Sequence, residues 1–134
     1  MNHNEKVKYW IEKAEKDLKT CIKEINSDEP IIETIVFHAQ QAVEKFLKAF
    51  LTYKNVDFSK THNIAYLIEK ILEFDKDFEY LLEIGADRLY PIGINIRYPF
   101  PLDNVDIEDA KEFVIIAKKV KEFIMKKLER EKNK

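Results

Sequence analysis

Apolar residues return at three- and four-residue steps along most of this chain, a spacing that predicts amphipathic helices. A first helix is expected from Glu5 to Asn26, with Val7, Trp10, Ile11, Ala14, Leu18, Cys21, Ile22 and Ile25 on its inner side. Ser27-Asp28-Glu29-Pro30 breaks it, and Asp28 is the expected cap of a second helix with Glu29 and Pro30 in its first turn. That helix runs to about Tyr53. Ile32, Ile35, Val36, Ala39, Val43, Phe46, Leu47 and Phe50 line one side of it, while His38, Gln41, Lys45 and Lys48 share a stripe on nearly the opposite side.

Thr61 is the expected cap of a third helix through Ile64, Leu67, Ile68, Ile71 and Leu72. Asp75 is placed to cap a fourth, with Phe78, Leu81, Leu82 and Ile84 inward, and Gly85 weakens that helix without ending it. Between Tyr90 and Asn104 the character changes. Pro91, Gly93, Pro99 and Pro101 forbid a continuous helix, while Tyr90, Ile92, Ile94, Ile96, Tyr98 and Phe100 alternate with other residues. A lone strand would have no partner, so an ordered extended loop across the bundle is expected. Asp106 caps a last helix with Ile107, Ala110, Phe113, Val114, Ala117, Val120, Ile124 and Leu128 inward. Its lysine-rich end suits the helix dipole, and fraying is expected from Glu129 onward. Short loops between long amphipathic helices imply antiparallel neighbours: an all-α, antiparallel four- to five-helix bundle forming a single domain over residues 1–134.

Composition narrows the partners. Apolar residues at 46% and charged residues at 36% describe a folded protein with a strongly charged surface. A net charge of −2 gives no global attraction to polyanions, so any nucleic-acid contact must come from a local patch. The single cysteine, Cys21, excludes a disulfide framework and a cysteine zinc site, and its register with Leu18, Ile22 and Ile25 predicts a buried thiol. Met1-Asn2-His3-Asn4-Glu5-Lys6 has no signal-peptide core and no apolar run is membrane-spanning in length, so the cytoplasm is expected. Abundant Lys, Glu and Ile, with only Arg88, Arg97 and Arg130 as arginines, fit either a thermophile or an AT-rich genome.

An imidazole beside two ammonium groups can hold phosphate or move protons, and His38 with Lys45 and Lys48 supplies those types on one helix face. The competing reading is a solvated face with an i,i+4 pair between Glu44 and Lys48. His62, next to Thr61, suits hydrogen bonding at a helix start better than ligation. Arg97 offers a planar fork for phosphate or carboxylate, and Tyr98 a ring that can stack on a base. The alternative for these two is an Arg–carboxylate bridge fastening the loop, with Tyr98 in the core. Asp87, Arg88 and Asp103 are expected in local ion pairs, and Asp87 with Asp103 could hold a cation only by folding together. Glycine-rich phosphate loops and nucleophile elbows are missing, and two histidines without a defined carboxylate partner make no metal site. No cofactor is expected. The terminal lysines, interleaved with Glu122, Glu129 and Glu131, read as a solvent face.

Four local patterns resemble the HEPN family of small helical domains. They are Trp10 with Ala14-Glu15-Lys16-Asp17-Leu18, then Phe37-His38-Ala39-Gln40-Gln41-Ala42-Val43-Glu44-Lys45 followed by Lys48-Ala49, then Thr61-His62, and Arg97-Tyr98-Pro99 with Asp109-Ala110. The resemblance covers nearly the whole chain. It implies a four- or five-helix domain that pairs into a homodimer and works beside a minimal nucleotidyltransferase in a toxin–antitoxin-like or modification pair. It also implies nucleotide or nucleic-acid binding. Many members of the superfamily cleave RNA with an Arg followed a few residues later by His. Here His3, His38 and His62 all precede Arg88 and Arg97, so no catalytic residue is assigned. The expected site is a phosphate-binding cleft bordered by His38, Gln41, Lys45 and Arg97, assisted by Tyr98. A divergent metal-independent ribonuclease using His38 or His62 with Arg97 across a dimer cleft is the alternative, and a purely structural partner-docking domain is a third reading.

Overall fold

The computed structural model describes residues 1–58, 61, 63–89 and 105–134. The expectations for His62, for Tyr90 to Asn104 and hence for Arg97, Tyr98 and Asp103 lie outside the described residues. Among the described residues the fold is all-α, with five α-helices and no strands. These are α1 (His3–Ile25), α2 (Ile32–Tyr53), α3 (Ile64–Leu72), α4 (Glu79–Glu83) and α5 (Ile107–Lys132), with 3-10 turns at Lys76–Phe78 and Ala86–Arg88 flanking α4. None of them is long and apolar enough to cross a membrane.

Side-chain chemistry sets most boundaries. Asn2 accepts the Glu5 N–H while Glu5 reaches back to the Asn2 N–H, a capping box that starts α1. Asp106 and Asp109 build the same box on α5. The expected Asp28 cap of α2 is not used. That helix starts at Ile32 with Ile31 as its cap residue, and Glu24 Oε2, at the end of α1, accepts the Ile31 N–H at 2.9 Å. On α3, Asn63 rather than Thr61 caps, accepting from the Tyr66 N–H; Thr61 Oγ1 instead accepts the Asn63 N–H.

Asp75 does cap, but it opens the short 3-10 turn that leads into α4. Phe78 and Leu81 are buried as expected, whereas Leu82 is exposed because α4 lasts little more than a turn. Gly85 takes φ +82°, a left-handed conformation that stops the helix, so the expectation that it need not end there is corrected. At the other end α5 stays helical to Lys132 instead of fraying from Glu129.

Helix α2 is the hub, packing against α1, α3 and α5. His3 lies beside Tyr53 and Asp17 beside His38, so α1 and α2 run antiparallel. Lys54 pairs with Glu131 at 3.1 Å and Lys121 with Glu15 at 2.9 Å, which sets α5 antiparallel to α1. Phe50, Phe78 and Phe123 join α2, the α3–α4 corner and α5, with ring centroids 4.7 Å and 4.9 Å apart. Each large apolar side chain buried in this way contributes about 1.5–3 kcal/mol relative to exposure. Surrounded on several sides, α2 is buried well beyond one apolar face. Gln40, Glu44 and Lys48 are buried with Phe46, Leu47 and Phe50.

Candidate functional site

The polar stripe of α2 is not a solvated face. It divides into two hydrogen-bonded groups. In the first, Asp17 of α1 receives His38 and Lys45 from two successive stretches of α2. His38 Nδ1 lies 2.8 Å from Asp17 Oδ1, and Lys45 Nζ donates to Asp17 Oδ2 at 2.6 Å. The antiparallel crossing makes this possible, because seven residues on α2 put His38 and Lys45 two turns apart on one side with Asp17 between them. Asp17 is buried and the other two are part-buried, so the carboxylate forms the floor and the ring and ammonium form the rim.

The second group is a chain along α2. Gln41 Nε2 donates to Gln40 Oε1 at 3.0 Å, Gln40 Nε2 to Glu44 Oε1 at 3.1 Å, and Lys48 Nζ to Glu44 Oε2 at 2.8 Å. The Lys48 ammonium also lies 5.5 Å from the Trp10 ring centre and 5.6 Å from that of Phe58. Cation and rings attract through the ring quadrupole, and the contact is stronger away from water. The expected Glu44–Lys48 pair therefore exists, but as a buried contact and not as a surface one. Lys48 leaves the His38 stripe for this interior group.

Of the expected site residues, His38 and Lys45 meet at Asp17, whereas Gln41 is part-buried and hydrogen-bonded to Gln40 of the second group. Sequence reasoning missed Asp17 and Gln40, and it placed the Glu44–Lys48 pair at the surface. For Asp17 the signal was present: it lies three residues after Ala14 and four before Cys21, both inner positions of α1. An acid in an apolar register is a buried acid, and a buried acid needs a partner.

With Nδ1–H donated to Asp17, Nε2 is the acceptor of the neutral, part-buried imidazole; a second proton turns that nitrogen into a donor. The group can therefore orient a ligand, accept a proton or, when protonated, give one. Cys21, one turn along α1, is excluded from such chemistry: burial pushes its thiol up to about 11, and Sγ donates to the Leu18 carbonyl. No group of three His, Cys, Asp or Glu side chains suited to a metal ion exists among the described residues. Arg88, expected in a local ion pair, makes one with Glu112 at 2.6 Å on an exposed surface.

An open groove of about 830 Å³ lies near the other end of α1, lined by Val7, Ile11, Tyr53, Met125 and Leu128. Of the expected site residues that are described, none lines it.

A family model described as HEPN domain matches residues 7–128, which takes in most of α1 through most of α5 and both polar groups of α2. No curated protein and no solved structure matches the chain.

Proposed function

The chain belongs to the HEPN domain family, and from that membership and the geometry of the α1–α2 seam we propose that it is a helical binding and dimerisation module holding the phosphate of a nucleotide or nucleic acid. His38, Gln41 and Lys45 border the proposed cleft, with Arg97 as a bidentate fork and Tyr98 as a stacking ring. The observation that carries the reading is the convergence of the part-buried His38 and Lys45 on the Asp17 carboxylate. Nucleotide- and RNA-related roles are known for HEPN domains, and such domains commonly dimerise. In this reading residues 1–134 act as one domain, as a homodimer, beside a minimal nucleotidyltransferase in a toxin–antitoxin-like pair.

Amide spectra test the binding claim. ATP or a short RNA is expected to shift the resonances of His38, Gln41, Lys45 and Arg97; unmoved spectra with both ligands reject it. Co-purification with a nucleotidyltransferase encoded beside the gene tests the pairing separately.

A second reading is favoured by one contact. Asp17 fixes the tautomer and direction of His38, as a carboxylate does for an acid–base histidine, and this suits metal-independent RNA cleavage. Cleavage in the presence of chelator, lost in His38→Ala and kept in a surface lysine variant, would establish it. Absence of cleavage in the parent protein would dismiss it.

A further inference from the structure

Asp17 carries a consequence for ligand binding. The two rim groups do not form a free cationic pair, because one carboxylate already takes a hydrogen bond from each. With a neutral imidazole the charges of Asp17, His38 and Lys45 cancel, and Nε2 carries a lone pair that repels an oxyanion. One proton changes both together: the group becomes cationic, and Nε2 of the part-exposed ring becomes a donor.

We propose that Asp17 is a built-in counter-anion that couples oxyanion binding at His38 and Lys45 to protonation of His38. The ligand class is a tetrahedral oxyanion of phosphate or sulfate type, taken up together with a proton. This rests on the phosphate-binding reading above and adds its regulation: affinity rises when the imidazole carries its second proton.

The charged neighbours support the count. Ion pairs to Asp17 come from His38 and Lys45 of α2. On α1 the next titratable group inward is Cys21, which stays a neutral thiol through the working range. From α5, Lys118 acts on Cys21, and Lys121 is held by Glu15 at 2.9 Å. The Asp17 side chain is only 12% exposed, so water screens its pull on both cations weakly.

Sulfate is the right probe because its charge stays constant across the pH range compared. Titrations at about pH 5.5 and about pH 8.5, at fixed ionic strength, bracket the ordinary histidine range. In the parent protein sulfate affinity is expected to fall about tenfold or more between the two, the linkage slope of one proton being tenfold per pH unit at most. Asp17→Asn frees Lys45 from its counter-charge, so this variant should bind sulfate several-fold more tightly than the parent at the higher pH. His38→Gln should bind with nearly the same affinity at both pH values, and amide spectra of each variant confirm that it is folded. Equal parent affinity at both pH values overturns the coupling and leaves the phosphate reading standing, as does a pH slope retained in His38→Gln. ATP-induced shifts without any sulfate binding also reject the coupling alone. No response to sulfate, ATP or RNA rejects both.

Discussion

Asp17 and His38, twenty-one residues apart in sequence, meet at 2.8 Å across the α1–α2 seam, and the second oxygen of Asp17 holds Lys45 at 2.6 Å. One buried carboxylate therefore fixes two side chains of the proposed cleft and ties the first two helices together.

Asp17→Ala should be costly. It leaves Lys45 and His38 part-buried and short of an acceptor, which predicts a loss of about 2–4 kcal/mol in urea unfolding. Asp17→Ala with Lys45→Met removes the stranded charge as well and should recover part of that loss. Additive costs in this double-mutant cycle would show that the ion pair has no energetic role.

Lys48 offers a second test. Its ammonium is shared by Glu44 and the Trp10 and Phe58 rings, and its side chain is 7% exposed. Lys48→Met keeps the length but removes the charge, and a destabilisation of about 2–4 kcal/mol is expected. Glu44→Gln with Lys48→Met should cost less than Lys48→Met alone. Trp10 is the only tryptophan, so its emission reports directly on this site in both variants.

How much of this was legible in the sequence depends on what each position needs. The apolar registers of α2 and α5 translate into core because burial requires only spacing and hydrophobicity: Ile35, Val36, Val43, Phe46, Leu47, Val120 and Ile124 are all buried. Helix ends were read less well, since several residues near each break can cap. Asp28 and Thr61 satisfy the composition rule, yet Glu24 and Asn63 reach the open N–H groups. The polar stripe was found, but its partners were not. Asp17 is distant in sequence from His38 and Lys45, and only the crossing of two helices decides that they meet. The same crossing sends Lys48 inward although its register matches that of Lys45.

Gly85 is predicted to resist substitution. Its φ of +82° disfavours any L side chain, and an added Cβ would lie 2.5 Å from Arg88 Nε. Gly85→Ala should cost about 1–2 kcal/mol, of which the steric share can be relieved because Arg88 is flexible. Comparing Gly85→Ala in the parent and in Arg88→Ala backgrounds separates the two shares. A remaining penalty in Arg88→Ala measures the backbone conformation, and no penalty in either background would refute the assignment.

The α3–α4 corner should respond to pH at both extremes. Burial opposes the charge of Lys127, but hydrogen bonds to Asp75 and Asp77 outweigh it and raise its pKa. The hydrogen bond from Lys127, joined by its charge, lowers the pKa of Asp77. The depressed carboxyl contributes stability above its unfolded pKa of about 4 and loses it as pH falls through the folded value. The raised amine contributes below its unfolded pKa of about 10.4 and loses that contribution as pH rises through the folded value. Lys127→Met should flatten both limbs of a stability–pH curve; an unchanged acid limb would remove Asp77 from this account.

Cys21 makes the last prediction, and its sign follows from burial. Desolvation lifts the thiol from 9.0 to about 11, so the unfolded chain ionises first as pH rises. The stability associated with the neutral buried thiol is complete below pH 9 and declines towards pH 11. Cys21→Ala leaves a small cavity and should lower stability at neutral pH, yet its curve should fall less steeply across that alkaline window. In the folded parent at about pH 8, a thiol reagent should react at the rate set by opening of the α1–α2 seam, because a buried thiol is protonated and shielded. Urea that increases opening should accelerate the reaction in proportion. Fast labelling without unfolding, or parallel alkaline limbs for parent and Cys21→Ala, would contradict the placement of this thiol in the core.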